Sequence, residues 1–409
     1  MIRATRTQWI KFAVVLALYL IFLVWLRSWL GLVVVPFIFD AYITKKIPWT
    51  WWRESKNRHV VTVMGWVDAI VFALVAVYFV NLYFFQNYVI PSSSLEKSLL
   101  TGDYLFVSKM SYGPRVPQTP LHMPLAQHTL PFFNCKSYLE HPQWDYKRVK
   151  GLGDVQLNDI VVFNFPAGDT VATGVPNDDI YRLSYGAGKE LAKPVDLASM
   201  TPEQQRVVYD YYYQLGREYL KENPQNFGEI ISRPVDRREN YVKRCVGLPG
   251  QTLEIKDRII YLDGKANKEP DNVQYRYLVK TKRPIPDDLA HELGISKEDM
   301  MMYYTDASVY NMPLTEKAKA GLLARKDIVV SIENTPADDA GGLYPLNMYK
   351  NWTTDNYGPV WIPKKGETVK LTIENLPVYE RPIHVYEGNE LAVKDGKIYI
   401  NGKIGRAHV

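Results

Sequence analysis

Two groups of residues carry side chains suited to nucleophilic chemistry. Three serines, Ser92 to Ser94, directly follow Pro91, and a hydroxyl attacks a carbonyl carbon once a base removes its proton. Much further along the chain, Lys243 lies in an otherwise apolar segment that ends in Gly-Leu-Pro-Gly at 247–250. An amine can act as that base when burial disfavours its charge. Both features also have structural interpretations, because loops after proline are commonly serine-rich and edge-strand lysines discourage aggregation.

The environment of this lysine follows from the alternation of side chains along a strand. Alternation places Tyr241, Lys243 and Cys245 on one face, with Arg244 on the other. Two adjacent cations cannot both be buried cheaply in apolar surroundings. We therefore expect Lys243 to point inward and Arg244 to reach solvent or a carboxylate.

The composition excludes several other classes of function. The 409 residues are 47% hydrophobic and 13% aromatic, which rules out simple disorder. A balance of 49 basic to 44 acidic residues, without a long basic block, argues against a dedicated nucleic-acid binder. Cys135 and Cys245 supply neither a disulfide framework nor a four-ligand zinc site, and the seven histidines form no HExxH motif. We expect no metal and no cofactor.

Two apolar runs near the N-terminus, 9–39 and 60–85, exceed the roughly 20 residues that span a bilayer. The stretch 40–59 between them is rich in lysine and arginine, which predicts a cytoplasmic loop and places the following chain outside the cytoplasm. The first run is either one tilted span or a hairpin broken at Arg27-Ser28. Residues 1–88 are therefore predicted to be a membrane anchor, with buried helices of a soluble protein as the alternative.

The chain after residue 88 has the pattern of a mainly β domain. Short β-branched and aromatic segments predict strands at 104–108, 159–165, 241–246 and 369–374. Two similar segments, 254–265 and 392–403, each predict a β-hairpin. The predicted division is a core over 89–265 that contains an insertion at 167–238, a second insertion at 266–387 with mixed α and β character, and a hairpin at 388–403.

One helix is predicted clearly within the first insertion. Thr201 and Gln204 form a capping-box pattern around Pro202, and Asn223-Pro224 ends the helix. The residues predicted to share one face of this helix are Val208, Tyr211, Tyr212, Leu215 and Tyr219.

Four segments occur in an order that resembles the type I signal peptidases, the membrane-bound leader peptidases of peptidase family S26. They are IPSSSL at 90–95, GDYLFVSK at 102–109, NDIVVF at 158–163 and YVKRCVGLPG at 241–250. The resemblance covers 90–110, 158–166 and 239–265 well and the two insertions only loosely. It implies transmembrane helices followed by a LexA-like β fold on the extracytoplasmic, periplasmic side of the plasma (inner) membrane.

The resemblance also implies roles for particular residues of a Ser-Lys dyad. Ser94 corresponds to the nucleophile and Lys243 to the general base, while the Ser92 hydroxyl and the Ser94 N–H form the oxyanion hole. Small substrate pockets correspond to Ile90, Pro91, Leu95, Leu99, Leu105, Tyr241 and Val242. The implied activity is removal of signal peptides from exported preproteins after Ala-x-Ala sites. Membrane lipid and the secretion translocon are the other implied partners.

Two other interpretations remain open from the sequence. Ser94-Leu-Glu-Lys97 is also an S-x-x-K tetrad, as in penicillin-binding proteins, although the accompanying S-D-N and K-T-G elements do not occur. The other is a membrane-anchored scaffold or binding module in which the peptidase segments remain without activity.

The resemblance fails at one point. The family carries a final box, G-D-N-x-x-x-S-x-D-S-R, whose serine orients the lysine, and this sequence has no such stretch. Residues 404–409 back-translate to a run that looks like a sequencing adapter. We therefore expect a sequence cut short before the final box, with 404–409 as a non-native tail. Such a chain would lack the partner that orients the lysine.

Overall fold

The structure is a computed structural model. It describes residues 4–130, 133, 135–301, 304–306, 308–337, 343–347, 352–404, 407 and 408. The helices are α1 (Arg6–Leu26), α2 (Val35–Phe39), α3 (Arg58–Tyr83), α4 (Ile180–Leu191), α5 (Pro202–Glu222), α6 (Pro224–Phe227), α7 (Asp287–Glu292), α8 (Lys297–Met301), α9 (Glu316–Ala324) and α10 (Leu376–Arg381).

The strands are short, and most pair in small antiparallel sheets. They are β1 (Phe85–Val89), β2 (Tyr104–Ser108), β3 (Arg115–Val116), β4 (Lys147–Arg148), β5 (Ile160–Asn164), β6 (Thr170–Ala172), β7 (Ile230–Ser232), β8 (Asn240–Arg244), β9 (Thr252–Lys256), β10 (Ile259–Leu262), β11 (Lys265–Ala266), β12 (Gln274–Thr281), β13 (Tyr304–Asp306), β14 (Val309–Thr315), β15 (Val329–Asn334), β16 (Tyr357–Trp361), β17 (Thr368–Val369), β18 (Leu391–Lys394), β19 (Lys397–Ile400), β20 (Lys403–Ile404) and β21 (Ala407–His408).

Two helices are long and apolar enough to cross a bilayer, α1 with 21 residues and α3 with 26. At 1.5 Å per residue they are about 32 and 39 Å long, against about 30 Å for the hydrocarbon core of a bilayer. The apolar stretch of α3 is not buried inside the protein, whereas a core helix of a soluble protein would be. Both helices therefore fit the predicted membrane anchor.

The first apolar run forms a hairpin rather than one tilted span. α1 ends where Arg27 adopts the left-handed conformation with φ 50°. Helical turns over residues 30–44 then lead the chain back along α1. The ring of Phe39 consequently packs edge-on against those of Phe12, at 5.4 Å between centroids, and Trp9, at 6.3 Å. The break lies at the Arg27-Ser28 position suggested by the sequence.

The tip of this hairpin contacts the sheet-rich part of the chain. Trp25 Nε1 donates a hydrogen bond to the Lys150 carbonyl at 3.3 Å, and Lys147 Nζ donates one to the Arg27 carbonyl at 2.8 Å. The rings of Trp25 and Tyr83 lie 6.5 Å apart. The hairpin tip and the C-terminal end of α3 therefore lie on the same side of the anchor, next to the sheet-rich domain.

Two strand pairs form the part of the domain that carries the serines and the lysine. β1 begins two residues after α3 and pairs antiparallel with β2, so residues 90–103 form a loop between them, here called the serine loop. β5 pairs antiparallel with β8 from Ile160↔Arg244 to Asn164↔Asn240. The intervening chain therefore leaves and returns at neighbouring positions, as the predicted insertion at 167–238 requires.

The two similar sequence segments form hairpins with the same turn geometry, as predicted. β9 and β10 are joined at Asp257-Arg258, with φ 48° and 75°, and β18 and β19 at Asp395-Gly396, with φ 50° and 70°. Two successive residues with positive φ define the type I′ turn that matches the twist of a hairpin.

The first insertion contains the predicted helix α5 and a second helix, α4, that the sequence analysis missed. The capping box of Thr201 and Gln204 is present. The predicted face is wrong in part, because the buried residues of α5 are Tyr212, Gly216 and Leu220, whereas Tyr211 is 56% exposed. The buried face of α5 includes Gly216 because a glycine, unlike a large side chain, permits α4 to pack closely against α5.

The contact between α4 and α5 yields a stability prediction. A Cβ atom on Gly216 would lie 1.8 Å from the Ser184 carbonyl oxygen and 2.8 Å from the Gly188 nitrogen, and neither backbone atom can move without separating the helices. Gly216→Ala is expected to lower the free energy of unfolding by about 3 kcal/mol. The control is Gly186→Ala, where nothing lies within 4 Å of an added Cβ and about 1 kcal/mol of stabilisation is expected. Chemical unfolding in detergent measures both, and an unchanged midpoint for Gly216→Ala would contradict the close contact.

The second insertion has its own core, built on the sheet β13-β14-β12-β15. Val279, Met312, Leu322 and Ile328 are fully buried in it. Elsewhere, the predicted strand at 369–374 is wrong beyond its first residue. Thr372 and Asn375 exchange hydrogen bonds between side chain and backbone N–H, and these form a turn before α10.

The predicted non-native tail lies only partly among the described residues. Within it, Ala407 and His408 pair with β17, whereas 405, 406 and 409 lie outside the described residues.

Candidate active site

The structure brings the serine loop and the lysine strand into direct contact. Lys243 Nζ lies 2.6 Å from Ser94 Oγ, a hydrogen-bond distance between residues 149 positions apart in the chain. This is the pair that the sequence analysis singled out. The contact has the geometry required of a nucleophile and its general base.

The serine is held at the tip of the β1–β2 hairpin. The Ile90 N–H donates to the Asp103 carbonyl at 3.0 Å, and the Gly102 N–H donates to the Ile90 carbonyl at 2.9 Å, which closes the base of the serine loop. Within the loop, residues 93–95 form a single 3₁₀ turn preceded by Ser92 in an extended conformation. The N–H groups that open such a turn have no partner inside it.

The lysine is held by the pairing of β8 with β5, in which Lys243 lies opposite Val161. The expectation that this amine is buried is wrong for the structure, because both Lys243 and Ser94 are exposed. The physical reason is that the Lys243 face of β8 borders an open cavity rather than a packed core.

The neighbouring arginine also contacts the serine loop. Arg244 Nη2 donates to Ser98 Oγ at 3.0 Å, and its Nη1 donates to the Asn158 carbonyl at 2.9 Å. Arg244 remains partly exposed, as expected, but the partners of its guanidinium are a serine hydroxyl and a backbone carbonyl rather than a carboxylate. Arg244 is the last residue of β8, so its long side chain is free to turn toward the loop. Successive residues of one strand thus bind the serine loop at two points.

Asn158 and Asp159, which immediately precede β5, help to hold the lysine strand in place. The Cys245 N–H donates to the Asp159 carbonyl at 2.8 Å, which extends the pairing of the lysine strand. The Asp159 carboxylate accepts hydrogen bonds from the Tyr112 hydroxyl at 2.6 Å and the Gln156 N–H at 2.8 Å. These bonds, led by that from Tyr112, hold the pKa of Asp159 below its usual value. These hydrogen bonds therefore stabilise the position of the strand that carries Lys243.

A cavity of about 470 Å³ opens between the Ser94–Lys243 contact and the second insertion. The residues contributed by the serine loop and β8 are Ser93, Ser94, Leu95, Glu96, Ser98, Lys243 and Arg244. The residues contributed by the second insertion are Pro270, Asn272, Val273, Gln274, Arg276, Asp299 and Pro313. Sequence analysis missed this second set, because nothing in the local sequence of the insertion indicates that it faces a serine far away in the chain.

The predicted pocket residues are scattered around this site. Leu95 lines the cavity, whereas Ile90 is buried and Pro91 is exposed. Leu99, Leu105, Tyr241 and Val242 are each half-buried. The ring of Tyr241 stacks on that of Phe165 at 4.4 Å, so this aromatic surface is already covered.

The S-x-x-K interpretation does not match the geometry of the serine loop. That motif needs a helical turn to bring serine and lysine together, whereas Lys97 has φ 68° and lies outside the short 3₁₀ turn. The Lys97 carbonyl instead accepts a hydrogen bond from Asn272 Nδ2 at 3.1 Å. Among the residues that the structure describes, Lys243 is the amine in contact with Ser94 Oγ.

A different lysine, at the end of β2 away from the serine loop, is largely shielded from solvent. Lys109 follows β2, and burial, with smaller contributions from the charges of Arg115 and Arg148, lowers its pKa to about 8. Nothing in the sequence distinguishes Lys109 from an ordinary surface lysine. The segments that shield it lie before and after residues 117–146, so they meet only in the folded chain. Lys109 does not line the cavity, so we interpret its burial as structural.

The buried lysine predicts how stability depends on pH. Between pH 8 and about 10.4, the usual pKa of lysine, the unfolded chain binds a proton that the folded chain has lost, so stability rises with pH. Lys109→Met should stabilise the chain by about 3 kcal/mol below pH 8, and this advantage should fade as pH rises to 10.4. Thermal unfolding across pH 7–11 measures it, with the exposed Lys150→Met as control. An advantage that does not change with pH would contradict the assignment.

Comparison with known proteins places the chain in a family. The sequence profile described as "Signal peptidase, peptidase S26" matches residues 63–291, more than half of the chain. A signal peptidase I of Helicobacter pylori is 42% identical over 56 residues, which are 14% of this chain and 18% of that protein. "Signal peptidase I P" of Bacillus subtilis subsp. natto is 20% identical over 279 residues, 68% of this chain and 90% of that protein. A signal peptidase I of Rickettsia prowazekii is 24% identical over 165 residues, 37% of this chain and 56% of that protein.

These matches define a peptidase class that fits the two apolar N-terminal helices and the sheet-rich domain. The chain belongs to the signal peptidase family, peptidase S26. Membership confirms the resemblance drawn from the four sequence segments and the prediction of an enzyme of the signal peptidase class. No solved structure matches the chain significantly.

Proposed function

We propose that this chain is a membrane-anchored serine endopeptidase that removes signal peptides from exported preproteins after Ala-x-Ala sites. The observation that carries the proposal is the 2.6 Å contact between Lys243 Nζ and Ser94 Oγ, in a chain whose family is the signal peptidases. The proposed catalytic dyad is Ser94 and Lys243, and the mechanism uses no metal and no cofactor.

The proposed reaction begins with proton transfer. Uncharged Lys243 takes the proton of Ser94 Oγ as that oxygen attacks the carbonyl carbon of the cleaved bond. The resulting oxyanion accepts hydrogen bonds from the Ser94 N–H and the Ser92 hydroxyl. As the C–N bond breaks, the lysine returns its proton to the departing amine and leaves an ester on Ser94. Water, deprotonated by the same lysine, then hydrolyses the ester and frees the serine.

Bound substrate has a second role in this proposal. Ser94 and Lys243 are both exposed to solvent. A peptide that fills the cavity of about 470 Å³ next to the dyad would displace water and favour the uncharged amine. Occupation of the cavity thus completes the environment that the sequence led us to expect around Lys243.

The proposed topology follows from the anchor. The basic stretch 40–59 faces the cytoplasm, and α3 crosses the membrane once more, so that the sheet-rich domain lies on the periplasmic face. In support, the hairpin tip and the end of α3 lie on one side, where Trp25 bonds to Lys150. A signal peptide is itself held in the bilayer, so an active site next to the membrane exit meets its substrate there. Membrane lipid, preproteins and the secretion translocon are the proposed partners.

The proposed boundaries assign the core to 89–265 with its insertion at 167–238, and the second insertion to 266–387. The hairpin at 388–403 follows the second insertion. In this arrangement both insertions leave from strands of the core, and the second reaches back over the dyad through Asn272 and its neighbours.

A cleavage assay tests the proposed function. The full-length chain, reconstituted in vesicles of bacterial phospholipid, is incubated with a precursor bearing an Ala-x-Ala site and with the same precursor carrying leucine at both alanine positions. We expect cleavage after the second alanine of the first precursor, located by N-terminal sequencing, little cleavage of the second, and full activity in the presence of a chelator. Intact Ala-x-Ala precursor, or cleavage stopped by the chelator, would overturn the proposal.

A further inference from the structure

The second insertion forms one wall of the cavity beside the dyad. Asn272 Nδ2 bonds to the Lys97 carbonyl of the serine loop, so the wall is attached to the loop that carries Ser94. Behind it lies the insertion's own core, which gives the wall a rigid support. A substrate that reaches Ser94 through this cavity must therefore contact the insertion.

One carboxylate in this wall lacks a hydrogen-bond partner. Asp299 lines the cavity from α8, and its Oδ2 is buried with no partner among the described residues. The backbone N–H of Asp299 bonds to Ser296 Oγ at 3.0 Å, which fixes the start of the helix. Burying a carboxylate oxygen without a hydrogen-bond donor costs free energy. A donor that enters the cavity and bonds to this oxygen would therefore be bound favourably.

Among the described residues, the other charged groups that line the cavity do not donate a hydrogen bond to Asp299 Oδ2. Arg244 is bound to Ser98 and to the Asn158 carbonyl, and Arg276 has an interaction of its own. Glu96 adds a second carboxylate from the serine loop. The two carboxylates lie on opposite walls of the cavity, which Lys243, Arg244 and Arg276 also line. Among the described residues that line the cavity, Asp299 Oδ2 is the fully buried side-chain oxygen without a donor.

The size of the cavity limits how far from the cleaved bond Asp299 can act. A sphere of 470 Å³ is about 10 Å across, the length of about three residues of extended chain. Ser94 and Asp299 both line this one cavity. A substrate side chain that reaches Asp299 therefore belongs to one of the three residues on either side of the cleaved bond.

We propose that Asp299 is a specificity-determining residue that binds a lysine or arginine side chain of the preprotein within three residues of the cleaved bond. The inference rests on the proposed function and adds a preference to it. A cationic side chain suits the site because it both donates hydrogen bonds and neutralises the carboxylate. The preference belongs to the second insertion, since Asp299 lies beyond the residues 63–291 that match the family profile.

The test uses a series of precursors with one Ala-x-Ala site. Lysine, glutamine or methionine is placed in turn at each of the three positions on either side of the cleaved bond, apart from the two alanines. The full-length chain in phospholipid vesicles is compared with Asp299→Asn and with Glu298→Gln, an exposed neighbour on α8. Thermal unfolding of each variant verifies that the insertion remains folded.

At one or more positions, we expect the lysine precursor to be cleaved with a kcat/KM about tenfold above the methionine precursor, the range of one charged hydrogen bond. Glutamine should fall between them. Asp299→Asn should bring the lysine-to-methionine ratio to about one, while Glu298→Gln keeps it. A wild-type ratio near one at every position, or a ratio that survives Asp299→Asn, overturns the inference while methionine precursors are still cleaved. If no precursor is cleaved at all, the proposed function fails and the inference fails with it.

Discussion

Ser94→Ala is expected to lower the rate of precursor cleavage by at least about 10⁴-fold, because it removes the atom that forms the ester. The residual rate would come from the oxyanion hole and from substrate binding alone. The measurement is single-turnover cleavage of an Ala-x-Ala precursor by the full-length chain in phospholipid vesicles. Binding of the precursor should persist, since Ser94 Oγ contributes chemistry rather than surface area.

Thr101→Ala is the matched control for the loss of a hydroxyl. Thr101 lies on the same serine loop, is exposed and does not line the cavity. Its replacement should leave the cleavage rate within about twofold of wild type, as for surface substitutions generally. Cleavage by Ser94→Ala at a rate near that of the wild type would eliminate this serine as the nucleophile.

Lys243→Ala is expected to have a comparable effect, a loss of about 10⁴-fold, because Ser94 would lose the base 2.6 Å from its hydroxyl. Lys243→Arg should lose nearly as much. A guanidinium keeps the charge and the length of the side chain but does not give up its proton in a protein. The double variant Ser94→Ala with Lys243→Ala should be no slower than either single variant, as for residues that act as a unit.

The control for Lys243 is Lys97→Ala. It separates the Ser-Lys dyad from the S-x-x-K interpretation, in which Lys97 would be the essential amine. The left-handed backbone at Lys97 predicts that its side chain is dispensable, so cleavage should continue at close to the wild-type rate. Activity that depends on Lys97 and survives Lys243→Arg would reverse the assignment of the base.

The two insertions contribute differently to the protein. The first contributes the α4–α5 pair, whose close contact through Gly188 and Gly216 is a matter of stability. The second contributes half of the cavity beside the dyad, including Asp299. A change in the first insertion should therefore alter folding, whereas a change in the second should alter which precursors are cleaved.

Local features of the fold could be predicted from the sequence to within a few residues. The helix from Pro202 to Glu222 follows from its capping box and the proline after its end. The hairpins at 254–265 and 392–403 follow from residue pairs that accept positive φ, such as Asp395-Gly396. In each case the determining interactions join residues close in the chain, so the local pattern contains the information.

Other features depended on distant contacts and were missed or placed wrongly. α4 was not predicted, because its Gly186 and Gly188 lower helix propensity and only the contact with α5 explains the second of them. The inward face of α5 was wrong at Tyr211 for the same reason. Arg244 was expected at solvent or a carboxylate, and its hydrogen bond to Ser98 was not predicted. This bond forms because the serine loop lies next to the end of β8 in the folded chain.

The sequence by itself determined the types and order of the reactive residues, the apolar runs of the anchor and the four segments that mark the family. These depend on composition and short-range spacing, which a single chain displays directly. The tertiary structure alone decided that Ser94 and Lys243 meet, that both are open to solvent, and that Asp299 faces them across a cavity. Such juxtapositions arise from packing between segments far apart in the chain, 149 positions for Ser94 and Lys243, and no local pattern records where those segments will come together.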